Sequence, residues 1–140
     1  MVRSRLIPSS LFITACLSLT GCAQTSTAVQ TEQLLKTAHA WEGTRYEAYP
    51  EGRPELSVLK ITIPAKTTLN WHTHPMPNAA YLISGELLVE TRDGQHTRLK
   101  PGQVLPEVVN VPHRGTSGNT PVELIVFYAG ATGLPLSKPD

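Results

Sequence analysis

The sequence predicts an all-β domain, a β-barrel or jelly-roll sandwich, within a chain of 140 residues. Three observations carry this. From about Leu56 onward apolar and polar residues alternate in short runs, the pattern of strands with one buried face. Pro- and Gly-containing turns separate the runs, and almost nothing in this region has helical period. Seven or eight short strands joined by tight turns suit a closed or two-layered architecture.

The elements follow in chain order. Residues 1–21 read as a signal peptide, with Arg3 and Arg5 as the positive start and an apolar stretch from Leu11 to Leu19. That stretch is shorter than the roughly 20 residues of a bilayer span. Leu19-Thr20-Gly21-Cys22 resembles the lipobox of bacterial lipoproteins, which implies cleavage before Cys22 and lipid on its thiol. Ala23, in place of an Asp, resembles lipoproteins sorted to the outer membrane. The expected location is therefore the cell envelope, lipid-anchored and facing the periplasm.

Residues 22–31 are small, polar and without period, so a disordered tether is expected there. Within 32–54, Glu32 to Ala40 is expected to form about two helical turns, with Thr31 as N-cap and Leu34, Leu35 and Ala38 on one side. Trp41, Tyr46 and Tyr49 are expected to seal one end of a barrel that occupies 55–140.

In the barrel, Ser57, Leu59, Ile61 and Ile63 share one face of the first run, which Pro64-Ala65-Lys66 ends. Thr67 to His74, Ala79 to Ser84 and Glu86 to Arg92 follow. Asp93-Gly94 is read as a two-residue type I′ hairpin turn, with Gln95 to Leu99 returning. After Lys100-Pro101-Gly102 come Gln103 to Leu105, Val108 to Arg114 and Val122 to Ala129.

Composition excludes several functions. The two cysteines are Cys16, in the signal, and Cys22, so the mature domain has no thiol free for a disulfide. Without Arg3 and Arg5, ten of the twelve basic residues remain against eleven acidic ones. With no basic stripe, nucleic acid is not an expected partner.

The chemistry lies in three of the five histidines. His72 and His74 are two apart in a predicted strand, so both imidazoles fall on one face and their Nε2 atoms can converge on one ion. By the same parity Asn70 shares that face, while Leu69, Trp71 and Thr73 take the other. Each buried neutral imidazole needs a partner for both nitrogens, and a metal supplies one. His113 stands in a later strand, directly after Pro112.

Seven residues separate Pro64 from His72 and ten separate His74 from Gly85. With the His-x-His between them, this run resembles the first motif of the cupin superfamily. Gly94, Pro101-Gly102, His113 and, more loosely, Asn119 resemble the second motif. The resemblance covers about Leu56 to Tyr128. It implies a small cupin-type β-barrel, a double-stranded β-helix or jelly-roll, with a divalent metal (Fe, Mn, Ni, Zn or Cu) held by His72, His74 and His113.

The chain departs from the pattern in one place. The first motif usually carries a Glu four residues after the second histidine, and here that position is Asn78. Either Asn78 completes the site through its amide oxygen, a neutral and weaker ligand than a carboxylate, or three histidines and water hold the ion, or another carboxylate replaces the missing one. Glu107 is the best substitute, as fourth ligand or as a catalytic acid or base: it precedes His113 by six residues, and Pro106-Glu107-Val108-Val109-Asn110-x-x-His113 resembles a segment of small single-domain cupins. Met76, a soft thioether two residues after His74, offers a copper ligand or simply packing. His39 and His96 read as surface residues, Trp71 and Tyr81 as core or interface, and Arg114 as a rim charge or an anion contact.

Two functions follow. One is a metal-binding envelope lipoprotein that takes a metal or small molecule in its barrel. The alternative is a metal-dependent enzyme, since similarity to quercetinase-like small cupins implies dioxygenase or isomerase chemistry on a small organic substrate. Fold does not decide between them. An exposed sheet edge also invites pairing of two copies into a homodimer.

Overall fold

The computed structural model describes residues 28–140. The expected signal peptide, Cys22 and most of the tether lie outside the described residues. Contacts divide the chain into Met1–Thr31 and Glu32–Asp140.

Among the described residues nine strands make two antiparallel sheets: β1 (Pro54–Ile63), β2 (His72–Thr73), β3 (Asn78–Ser84), β4 (Leu87–Thr91), β5 (His96–Leu99), β6 (Val104–Pro106), β7 (His113–Ser117), β8 (Val122–Ala131) and β9 (Lys138–Pro139). One sheet runs β1-β8-β3-β6 and the other β5-β4-β7-β2-β9. Period 2 along the strands directs Ile63, Leu82, Leu87, Val89, Val122, Leu124, Val126 and Tyr128 into one core between the sheets. The all-β prediction therefore holds.

Gly85 shows why the first motif closes on glycine. Its φ is +82°, and a Cβ there would run into the Pro121 carbonyl oxygen and come within 3.0 Å of Val122 Cα. Only a residue without a side chain lets the β3–β4 connection pass that close to the start of β8.

Several local expectations need correction. Among the described residues there is no helix, and Glu32 to His39 is exposed and non-helical. Two turns cannot nucleate alone, and no apolar face of that segment is buried. Instead the chain folds back on itself through an isolated bridge between His39 and Arg45, with Ala40 N donating to Thr44 O at 2.8 Å and Tyr46 N to Ala38 O at 2.9 Å. Trp41 N then donates to Pro106 O at 2.9 Å, docking the segment on β6. Trp41 packs against the core and Tyr46 is half-buried, but Tyr49 is 74% exposed and seals nothing.

The hairpin between β4 and β5 has three loop residues rather than two. Thr91 N donates to Gln95 O and Gly94 N to Thr91 O. Gly94 has φ +88° while Asp93 is not among the positive-φ residues. A type I turn followed by a left-handed glycine thus replaces the type I′ turn, and the Thr91 hydroxyl bonded to the Asp93 carboxylate supports it.

Candidate metal centre

His72 lies in β2, His74 directly follows that strand, and His113 opens β7; the two strands meet at the pair His72↔His113. The ring centroids are 5.0 Å apart for His72–His74, 4.5 Å for His72–His113 and 5.0 Å for His74–His113. One nitrogen from each ring lies within 4.8 Å of the others. An ion with nitrogen bonds of about 2.0–2.1 Å would draw the three rings closer together than they stand here.

Which nitrogen faces inward is fixed by the protein. His72 Nδ1 lies 2.8 Å from Asn70 O, His74 Nδ1 2.7 Å from Leu136 O, and His113 Nδ1 2.9 Å from Val111 O. A carbonyl oxygen only accepts, so each Nδ1 carries the proton and each Nε2 keeps its lone pair for the centre. Burial holds His74 and His113 neutral, lowering both to about 4, which is the protonation state that a metal requires.

Glu107 joins this group. It is buried, and its Oε2 lies 3.4 Å from His113 Nε2. That distance suits an ion pair, yet neither atom has a hydrogen-bond partner. Burial pushes the Glu107 carboxyl up to about 8 while it pushes His113 down, so both face each other as neutral groups near pH 7. Two buried polar atoms without partners cost about 1–3 kcal/mol each. A cation between them would satisfy both, and in this respect the residues present fit a metal.

The backbone around Glu107 is tied down. Glu107 N donates to Asn78 O at 3.0 Å, and the Tyr46 hydroxyl donates to Glu107 O at 2.7 Å. Asn110, in the left-handed region at φ 56°, donates its N–H to His74 O at 2.9 Å. The loop that carries Glu107 and leads to His113 is thereby joined to the loop that carries His74.

A cavity of about 70 Å³ adjoins the histidines, lined by them, Glu107, Gly115, Tyr128 and aliphatic side chains. A larger groove, about 660 Å³, lies elsewhere, between residues 35–38 and 46–49 on one side and β3, β6 and β8 on the other.

Other predicted residues fall outside the centre. Asn78 does not line the cavity; its Nδ2 donates to Met76 O at 3.3 Å and its Oδ1 is buried without a partner. Met76 is fully buried in the core cluster, as packing requires, and is not in the cavity wall. His39 and His96 are exposed. Arg114 lies on the outer face, its Nε bonded to Glu90 at 2.7 Å and its guanidinium 4.4 Å from the Trp71 ring centroid.

Strand parity fails just before the motif. Leu69 lines the cavity and Asn70 is exposed, the reverse of the expectation, because no strand spans residues 69–71. Sequence reasoning also missed Tyr128, whose ring lies edge-on to His74 at 5.6 Å; its inward parity in β8 was available as a signal. The Leu136 carbonyl carried no signal at all.

The cupin domain profile matches residues 59–128. No curated protein matches the chain significantly. Among solved structures, the chain is 25% identical to one of DMSP lyases RdDddP and RnDddQII, with TM-score 0.54 over 61% of this chain and 44% of that one. DMSP lyase DddQ from Ruegeria pomeroyi is 20% identical, with TM-score 0.54 over 60% and 42%. A cupin-like protein from Thermotoga maritima is 18% identical, with TM-score 0.53 over 61% and 64%. This chain thus spans less than half the length of the lyases. The profile covers half of the chain, including the strands and loops that carry all three histidines, and the chain belongs to the cupin domain family.

Proposed function

We propose that this protein is a metal-binding lipoprotein of the cell envelope, holding one divalent ion through Nε2 of His72, His74 and His113, with Glu107 as fourth ligand. The observation that carries the metal site is the set of three Nδ1–carbonyl contacts at 2.7–2.9 Å. Orienting three imidazoles so that their remaining lone pairs meet in a buried space is costly without a cation there. The anchor rests on the lipobox-like Leu19-Thr20-Gly21-Cys22. The test is elemental analysis of protein purified without chelator, alongside His72→Ala, with membrane fractionation of Cys22→Ser. About one equivalent of metal, lost in His72→Ala, and release of Cys22→Ser from membranes are expected. Metal-free wild type after reconstitution with Fe(II), Mn(II), Ni(II), Cu(II) and Zn(II) overturns the site.

A binding role is the better-supported reading, because of Asn78, Glu107 and Arg114 only Glu107 lines the cavity. Its volume of about 70 Å³ is well below the roughly 300–1,000 Å³ of pockets that take drug-sized ligands, which suits an ion or a very small ligand.

One observation favours the enzyme reading: Glu107 presents an unpartnered carboxyl beside His113, the placement of a group that can hold or give up a proton at Oε2. A bound metal would supply Lewis acidity or redox chemistry. Oxygen uptake and lyase assays on metal-loaded protein test it. Turnover lost in Glu107→Gln with metal retained would establish an enzyme.

A further inference from the structure

Two of the three imidazoles are oriented locally, by the carbonyl two residues earlier in the same segment. His74 is different: its Nδ1 contact, Leu136 O, is 62 residues away in sequence. We propose that the segment Leu134–Asp140 is a positioning strap for the metal centre, which sets the tautomer and orientation of His74 by holding the Leu136 carbonyl against its Nδ1. Its consequence for metal affinity rests on the reading of the centre given above.

The strap is fastened along its whole length. At its start Gly133 turns the chain with φ +83°, and Leu134 N donates to Ala131 O at 2.9 Å. Leu134 and Leu136 pack against the core, which fixes the depth at which the Leu136 carbonyl sits. Beyond it, β9 pairs with β2 in the register His72↔Pro139 and Thr73↔Lys138. The strap therefore completes the sheet edge beside one ligand, His72, and orients another, His74.

The far end is clamped on the outer face. Asp140 N donates to Trp71 O at 3.2 Å. Asp140 Oδ2 accepts from Arg92 Nε at 2.6 Å and lies 2.5 Å from Arg92 Nη2, a two-nitrogen grip from one guanidinium. Arg92 lies over the Trp71 ring at 4.7 Å from its centroid, with Arg114 at 4.4 Å. Trp71 precedes His72, so the clamp is built on the residue next to a ligand. A flat indole with two guanidiniums upon it is a rigid base, and the strap is tied to it through both backbone and side chain.

The mechanism is orientation. With Leu136 O in place, the proton stays on Nδ1 and Nε2 faces the centre. Without it, the ring is free to take the other tautomer and to rotate, and Nε2 no longer points at the ion. Loss of such a partner lowers metal affinity by roughly 10- to 100-fold.

The experiment compares wild type, a chain lacking residues 136–140, and the full-length double variant Arg92→Ala/Asp140→Ala. Long-range proton–nitrogen NMR of the metal-free protein reads each imidazole's tautomer, and titration with Co(II), followed by its visible spectrum, reads affinity and ligand geometry. In wild type, His72, His74 and His113 are all expected as Nδ1–H. In the shortened chain, His74 alone is expected to lose this preference, and Co(II) affinity to fall roughly 10- to 100-fold with an altered spectrum. The double variant keeps the strap at full length, Leu136 included, and loosens only its far end; it is expected to shift the same way, less far. His74 retaining a pure Nδ1–H state in both variants would overturn the strap, as would an Nε2–H His74 in wild type. Failure of wild type to bind Co(II) defeats the metal reading instead, and the tautomer comparison still decides the strap.

Discussion

Glu107 Oε2 and His113 Nε2 face each other at 3.4 Å inside the barrel, and neither has a hydrogen-bond partner. Burial favours the neutral form of both, raising the carboxyl and lowering the imidazole. This makes the metal-free protein pH-sensitive in opposite senses on either side of about pH 6.5.

On the alkaline side Glu107 acts. Burial pushes its carboxyl up to about 8 in the fold, from 4.5 for a glutamate in water. Between those values the native state holds a proton that the unfolded chain has released, so stability falls as pH rises through the window. Glu107→Gln keeps the shape and removes the titration. The variant is expected to match wild type near pH 4, below the window, in thermal melts without metal, and to melt above it at pH 8. In the presence of Co(II) the order reverses, because the amide is a weaker ligand than a carboxylate.

On the acid side His74 and His113 act. Both are lowered to about 4 from 6.5, so between these values the unfolded chain binds protons that the native state refuses, and stability rises with pH. Their combined rise exceeds the fall from Glu107 up to about pH 6.5. A stability maximum of the metal-free protein near that pH is expected in a denaturant series from pH 4 to 9. A monotonic profile across that range contradicts the burial of these groups.

The fold was legible because its signals are periodic. The alternation in Glu86 to Arg92, the apolar run from Val122 to Ala129 and a motif glycine at Gly85 need nothing beyond neighbours in sequence. The histidine trio was legible through spacing and a family resemblance. What was not legible is non-local: the Leu136 carbonyl that reaches His74, and the chain reversal at Ala40–Thr44 that replaced a helix whose apolar face found nothing to bury against. The Leu69/Asn70 reversal arose from a break in strand geometry that composition does not mark.

Two glycines separate the cost of a backbone conformation from the cost of space. Gly94 has φ +88° and open space within 4 Å of where a Cβ would stand, whereas at Gly85, with φ +82°, the Cβ meets Pro121 O and Val122 Cα. Gly94→Ala is expected to cost about 1–2 kcal/mol, the left-handed penalty alone. Gly85→Ala adds a collision with backbone, which cannot rotate away, and is expected to cost at least about twice as much. Chemical denaturation of both variants checks the ratio, and equal costs would mean that the β3–β4 turn relaxes.

Substitution separates ligands from packing around His74. Met76 sits two residues on and is fully buried in the core cluster. Met76→Leu conserves volume, so it is expected to cost less than about 1.5 kcal/mol and to leave metal content at the wild-type level. His72→Ala and His113→Ala are each expected to lose the metal, because two imidazoles cannot close the site that three carbonyl-oriented rings define. Elemental analysis of the three variants, with melts to confirm that each is folded, decides the matter. Metal lost in Met76→Leu would place the thioether in the coordination sphere and argue for copper; metal retained in both histidine variants would remove the trio from the site.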